Sequence, residues 1–256
     1  MQTSNLKPRT SNLVHVLSAP MTRSRIAVLA SGSGTNLQAI LEYLDRLGDR
    51  RAGDVVLVAS NRMHAGALER ARTRSIATEV IAGATGEGDS RLDAALRGAR
   101  ADVVVLAGYL RYVPAAIVRR YAGQMVNVHP ALLPAFGGPG MYGRRVHEAV
   151  LAAGAKVSGV TAHFVDEEYD RGPIIAQWPV PVLAGDDASS LAARVLRVEH
   201  LLFQRVVDAM AGGRITLAAC LAGRGPQFAD ESSAIFTLLS REDACLAEDI
   251  DRALGC

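Results

Sequence analysis

Asn127 and His129 sit two apart in Met125-Val126-Asn127-Val128-His129-Pro130, an apolar run that a proline ends. Residues two apart on a strand face the same side, so an amide and an imidazole are expected together at the carboxyl end of a strand. That pair suits acyl transfer, the amide holding a developing oxyanion while the imidazole moves a proton. A polar cap at a strand end would look the same, and a third group is needed to separate the two. Asp170-Arg171-Gly172-Pro173 offers one, because the Gly-Pro pair bends the chain sharply and can present Asp170 to a cleft. A carboxylate beside His129 would raise its pKa and fix its orientation, although an aspartate in a turn is also ordinary. His163, in the strand before that turn, is expected to be a satisfied core histidine; Glu199 and His200, on a long helix, are expected to be solvated.

A second candidate is Ser31-Gly32-Ser33-Gly34-Thr35-Asn36, between a strand and a helix. Backbone amides at a helix N-terminus attract an anion, and glycines let a phosphate approach closely. The segment lacks the Gly-Lys-Ser/Thr ending of a Walker loop and is not a clean G-x-G-x-x-G, so a plain glycine-rich connection is the competing reading. There is no Gly-x-Ser-x-Gly elbow and no cysteine near a plausible histidine, which disfavours a covalent nucleophile. His147 and Glu148 are adjacent rather than spaced for a zincin site. Direct transfer between two bound substrates remains.

These residues need elements to hold them. Short apolar runs alternate with helical spacing: strands over Ile26–Ala30, Val55–Ser60, Thr78–Ile81, Val103–Ala107 and Met125–Val128, and helices over Leu37–Leu47, Gly66–Arg74 and Ser90–Arg97. Asp89 or Ser90 is the expected cap of the third helix, and Pro114 suits the first turn of another running to Tyr121. The alternation implies a parallel sheet with right-handed crossovers and helices on both faces. After a helix at Arg144–Ala153 come two longer strands, Val157–Val165 and Ile174–Val182, expected as a mixed or antiparallel extension. A helix from about Ser189 to Met210 carries the stripe Leu191, Val195, Val198, Leu202 and Val206. The pattern weakens after Leu217, and Leu246, Ile250 and Leu254 sketch one more helix.

The 256 residues are 49% apolar and 21% charged, which excludes a wholly disordered chain. No run of about 18 apolar residues appears, so no membrane span is expected, and a net charge of +2 offers no field for nucleic acid or an anionic membrane. Cys220, Cys245 and Cys256 have no CxxC spacing, which disfavours a disulfide scaffold or zinc ribbon; no metal and a cytoplasmic location are expected. Residues 1–24 show no sustained periodicity and lack the apolar core of a secretory signal. Met21 stands as a candidate start, an idea that N-terminal sequencing would sink by finding Met1 or Gln2 first.

Together, IAVLASGSGTNLQAI, VVVLAGYLRYV, MVNVHPALLPAF and VTAHFVDEEYDRGPIIAQWPVPV resemble the phosphoribosylglycinamide formyltransferase family of folate-dependent formyltransferases, in order and spacing, from about Arg25 to Leu217. The resemblance implies a Rossmann-like open, mostly parallel sheet, with residues 1–24 and 218–256 as extensions around a catalytic domain at 25–217. It implies a catalytic triad of Asn127, His129 and Asp170, with His129 kept protonated by Asp170, and two small-molecule substrates, glycinamide ribonucleotide (GAR) and 10-formyltetrahydrofolate. The substrate phosphate would lie on Gly32, Ser33, Gly34, Thr35, Asn36 and Leu37, and the glycinamide end near Leu196, Arg197, Val198 and Glu199. Folate would sit against Arg91, against Leu110, Arg111, Tyr112 and Val113, and against Asp166, Glu167, Glu168, Tyr169 and Asp170, beside Asn127.

The chain departs from the family's usual pattern at Phe136–Gly143, a longer glycine-rich stretch, and at Leu110 and Tyr112, where Met and Ile are usual. Three other readings compete. Formyltetrahydrofolate hydrolase uses water and carries an added front domain; methionyl-tRNA formyltransferase adds a barrel and a basic surface, against the acidic cluster Glu242, Asp243, Glu248, Asp249 and Asp251 here. A non-catalytic binder on the same scaffold is the third. Whether two copies form a homodimer stays open.

Overall fold

The computed structural model describes residues 22–83 and 86–222, together with Arg252. The expectations for a start at Met21, for Cys245 and Cys256, and for the acidic cluster and helix near Leu246–Leu254 lie outside the described residues. The elements run β1 (Ser24–Leu29), α1 (Thr35–Leu47), β2 (Gly53–Ser60), α2 (Gly66–Arg72), β3 (Ala77–Val80), α3 (Glu87–Gly98), β4 (Val103–Leu106), α4 (Ala115–Arg120) and β5 (Met125–His129). Then follow α5 (Arg144–Ala152), β6 (Val157–Phe164), β7 (Ile174–Pro181), α6 (Ala188–Ala211) and α7 (Leu217–Leu221).

Among the described residues the strands form one sheet in the order β3-β2-β1-β4-β5-β6-β7. The first five are parallel, while β5–β6 and β6–β7 pair antiparallel. The mostly parallel α/β sheet with a mixed C-terminal part is therefore what the chain builds. Alternation along β1 shows why: Ile26 and Val28 join the core shared with α1, α2, α5 and α6, whereas Ala27 and Leu29 face the core under α3 and α4. β4 is buried along its whole length, as a strand covered on both faces must be. The edge strand β7 carries Pro179 and Pro181 opposite Gly159 and Val157.

α6 is the spine of the second half. Its stripe of Leu191, Val195, Val198, Leu202 and Val206 is buried in the core, each side chain contributing about 1.5–3 kcal/mol. The helix starts where Asp187 accepts hydrogen bonds from the Ser189 and Ser190 amides at 2.8 Å each, while the Asp187 amide donates to Ser190 Oγ. Just before it, Asp186 takes a two-pronged ion pair from Arg194 at 2.7 and 2.9 Å, which fastens the β7–α6 loop and holds the Asp186 carboxyl well below its ordinary range.

Two start signals differ from expectation. α3 begins after Gly86, with the Asp89 carboxylate accepting from the Gly86 amide at 3.1 Å; Asp89 lies inside the helix and reaches back, so neither it nor Ser90 is the cap. Pro114 is the cap of α4 rather than part of its first turn, because its extended backbone (ψ 139°) is not helical. α7 had no periodic signal, being only five residues long; Thr216 Oγ1 caps it by accepting from the Ala219 amide.

Candidate active site

The carboxyl ends of β1, β4 and β5 open into a cavity of about 760 Å³ whose other walls come from the Phe136–Gly143 stretch, the β6–β7 connection, α5 and α6. This is the ligand edge of an open α/β sheet. Asn127 and His129 both line it. The antiparallel register sets His163 directly opposite Asn127, so β6 completes the site that β5 begins.

His163 is the residue that the sequence undervalued. Its Nδ1–H donates to the Phe164 carbonyl at 2.8 Å, which leaves Nε2 to accept from the Asn127 amide at 3.0 Å. Asn127 is thereby held in one orientation. Asp170 sits between the two rings, its carboxylate oxygens 3.6 Å from His129 Nδ1 and 3.7 Å from His163 Nε2. His163 is buried and satisfied, as expected, and its partner adds it to the site. The signal lay in strand pairing, which places position 163 across from 127.

The turn that carries Asp170 is tightly folded. Phe164 donates its amide to the Pro173 carbonyl, and a side chain at Gly172 would begin 1.8 Å from the Phe164 carbonyl oxygen. Asp170 itself takes a left-handed backbone (φ 55°), a conformation in which aspartate is enriched. The glycine-rich Phe136–Gly143 stretch closes the site from the other side. His129 Nε2–H donates to the Phe136 carbonyl at 2.9 Å, and the Gly138 amide donates to Asp170 Oδ2 at 2.8 Å. Both contacts use backbone atoms, which no residue type announces.

Two opposed effects act on His129. Burial pushes the His129 pKa below its ordinary value; Asp170 and the Phe136 carbonyl raise it but do not cancel the desolvation. His163 is lowered chiefly by burial as well. In the free site burial thus opposes the pull of Asp170 on the His129 proton.

At the other end of the cavity the Gly32–Asn36 loop wraps the N-terminus of α1. Gly34 is left-handed (φ 75°), and a side chain there would strike Ala67 at 2.6 Å. Ser31 beneath it donates to Asn61 Oδ1 and accepts from the Leu110 amide at 2.8 Å, so one hydroxyl ties this loop to the Leu110–Val113 segment. Asn36 donates to Glu199 at 2.8 Å and leaves its own carbonyl oxygen buried without a partner. Glu199 is buried, not solvated, and burial raises its pKa. Leu196 lies beside it on the cavity wall. Leu37 and Val198 are packed in the core, and Arg197 is exposed outside the cavity.

Around the third wall, Leu110, Arg111, Tyr112, Val113, Asp166, Glu168, Tyr169 and Asp170 line the cavity. Arg111 donates to the Gly83 carbonyl and pairs with Asp89 at 3.0 Å. Tyr112 packs against Tyr169 with ring centroids 5.3 Å apart and donates to the Glu167 carbonyl, so this departure from the family's usual Ile joins two walls. Glu167 itself points to Arg119, and Arg91 pairs with Glu79 outside the cavity. Among the described residues no helix is long and apolar enough to cross a membrane, and no cluster of three or more His, Cys, Asp or Glu could hold a metal ion.

Known proteins resemble the chain over most of its described length. The profile of the formyl transferase family matches residues 24–207. The chain is 45% identical over 197 residues to the chloroplastic phosphoribosylglycinamide formyltransferase of Vigna unguiculata, a match covering 75% of this chain and 62% of that protein. It is 39% identical over 196 residues to phosphoribosylglycinamide formyltransferase of Escherichia coli K12, covering 75% and 89%. The crystal structure of glycinamide ribonucleotide transformylase 1 from Symbiobacterium toebii superposes with a TM-score of 0.69 at 40% identity, covering 75% of this chain and 89% of that one. On motif, fold and match alike, the chain belongs to the formyl transferase family, among the phosphoribosylglycinamide formyltransferases.

Proposed function

We propose that the protein transfers the formyl group of 10-formyltetrahydrofolate to the amine of GAR, giving formyl-GAR in purine (IMP) biosynthesis. The observation that carries this reading is Asp170 held between His129 and His163, with the Asn127 amide locked by His163, in a cavity that reaches from that cluster to the Gly32–Asn36 loop.

The amine attacks the formyl carbon, its lone pair forming the new C–N bond while the carbonyl pair moves onto oxygen. The Asn127 N–H that His163 does not take and the positive charge of protonated His129 stabilise this oxyanion. Negative charge arriving there favours the imidazolium that burial disfavours, so the reacting form carries His129 already protonated from solvent and keeps that proton through the step. Collapse breaks the bond to folate N10. The proton lost by the attacking nitrogen passes to N10 through Asp170 and a water. The phosphate would rest on Gly32, Ser33, Gly34, Thr35 and Asn36, with the glycinamide near Leu196 and Glu199. Folate would take the wall of Leu110, Arg111, Tyr112, Val113, Asp166, Glu168 and Tyr169. Leu37, Arg197, Val198, Arg91 and Glu167 would act as supports behind these contacts.

The proposal includes a catalytic unit at residues 25–217 with extensions on either side. It also includes chemistry without a metal, no nucleic-acid partner and a cytoplasmic location. A homodimer is compatible with it, and sedimentation reads that directly. The runner-up is hydrolysis of 10-formyltetrahydrofolate, which the same Asn/His/Asp set could direct at water. Formyl loss measured with and without GAR separates the two. Nucleotide-dependent release is expected, and release that ignores the nucleotide would give the site to the hydrolase.

A further inference from the structure

His147 has no part in the mechanism above, yet it is unusual. It stands on α5, lines the same cavity, and is about 4% exposed. Its Nδ1 is sealed from solvent with no hydrogen-bond partner. Its helix neighbours Arg144 and Glu148 pair with each other at the surface and leave it alone. A histidine packed purely for volume would normally find a partner for a buried ring nitrogen, since an unmet polar atom costs about 1–3 kcal/mol. Burial and the nearby His129 both push its pKa down, which favours the neutral ring.

A neutral imidazole carries one N–H and one lone pair. Buried N–H donors without partners are rarer than unfilled acceptors, so the proton belongs on Nε2 and the sealed Nδ1 keeps the lone pair. Since Nδ1 is closed off, Nε2 is the nitrogen that a ligand in the cavity can meet. The same cavity is lined by Ala192, Leu196 and Glu199 of α6. His147 thus lies near His129, in the cavity whose α6 lining is proposed for the acceptor.

We propose that His147 is a further substrate-contacting residue, donating a hydrogen bond from Nε2 to the amide carbonyl of the acceptor and so aiming its terminal amine at the formyl carbon. This rests on the transferase reading above. A neutral donor suits an uncharged amide oxygen and leaves the mobile proton to His129.

The test measures formyl transfer by wild type, His147→Leu and His147→Gln, varying GAR and then 10-formyltetrahydrofolate. A glutamine can place its Nε2 near that of the histidine, whereas leucine fills the space without a donor. Leucine is expected to raise the KM for GAR roughly tenfold, the scale of one hydrogen bond, with the KM for folate unchanged. Glutamine is expected to stay within about threefold of wild type. Equal KM for GAR in wild type and the leucine variant, or equal loss in both variants, would overturn the proposal. If leucine prevents folding, the glutamine variant alone decides, with calorimetric GAR binding as its second readout. A wild type with no GAR-dependent transfer would instead sink the transferase reading, and calorimetry with GAR would still test His147.

Discussion

Asp170 is held within reach of two histidines and is fastened by a single backbone amide. Replacing it with asparagine keeps the shape and removes the charge. Asp170→Asn is expected to bind both substrates normally and slow the chemical step by roughly two to four orders of magnitude, read by single-turnover kinetics. Normal turnover would end the assignment of the triad. The same residue governs a pH effect. If His129 acts protonated and the acceptor amine must be free, kcat/KM traces a bell. Because His129 must keep its proton, the log rate should bend downward as pH rises through its pKa, and burial sets that bend below about 6.5. Asp170→Asn should move that bend lower still, since the carboxylate is one of the groups raising the His129 pKa. A flat profile through the histidine range would contradict this role for His129.

At the scale of elements, the site depends on the β6–β7 connection bending where only glycine fits. Gly172→Ala is expected to destabilise the fold by about 1–3 kcal/mol and to cost more in turnover, because relief of the clash with Phe164 must move Asp170. Thermal unfolding and kcat on one preparation check this; unchanged values in both would mean that the turn is softer than its geometry. This level was only half legible in the sequence. Hydrophobic periodicity placed β1 through β5 and α6 within a few residues, since burial on one or two faces leaves a repeating trace. It also put Asn127 and His129 on one face of a strand. It could not give His163, whose part comes from antiparallel register, nor the Phe136 carbonyl and the Gly138 amide, which any residue would supply. Glu199 was misjudged for a related reason: its burial follows from α6 packing on α1, where Asn36 meets it. The resemblance named more residues than spacing could, Leu37 and Val198 among them, whose side chains the packing sends into the core.

For the molecule as a whole, the histidines set a direction for stability. His129, His147, His163 and His200 all have pKa values lowered by burial. Their folded forms bind protons less readily than the unfolded chain, so below about pH 6.5 the unfolded state gains protons that the folded state refuses. Stability is therefore fully present above that pH and is lost as pH falls toward the depressed folded values. The Tm at pH 5.5 is expected to lie several degrees below that at pH 8, where roughly 1 kcal/mol is worth about 2–4 °C. A Tm that rises on acidification would show the rings to be better solvated than their packing indicates.

Pro179 and Pro181 stand on the outermost strand, β7, opposite Gly159 and Val157 of β6. A proline has no amide hydrogen, so at an open edge it denies a docking strand the donor it would need. The end of β7 is thus a terminus for the sheet, shielding the strands that frame the catalytic turn from edge-to-edge aggregation. Restoring the donors with Pro179→Thr and Pro181→Thr should leave turnover intact while increasing light scattering during prolonged warming at high concentration.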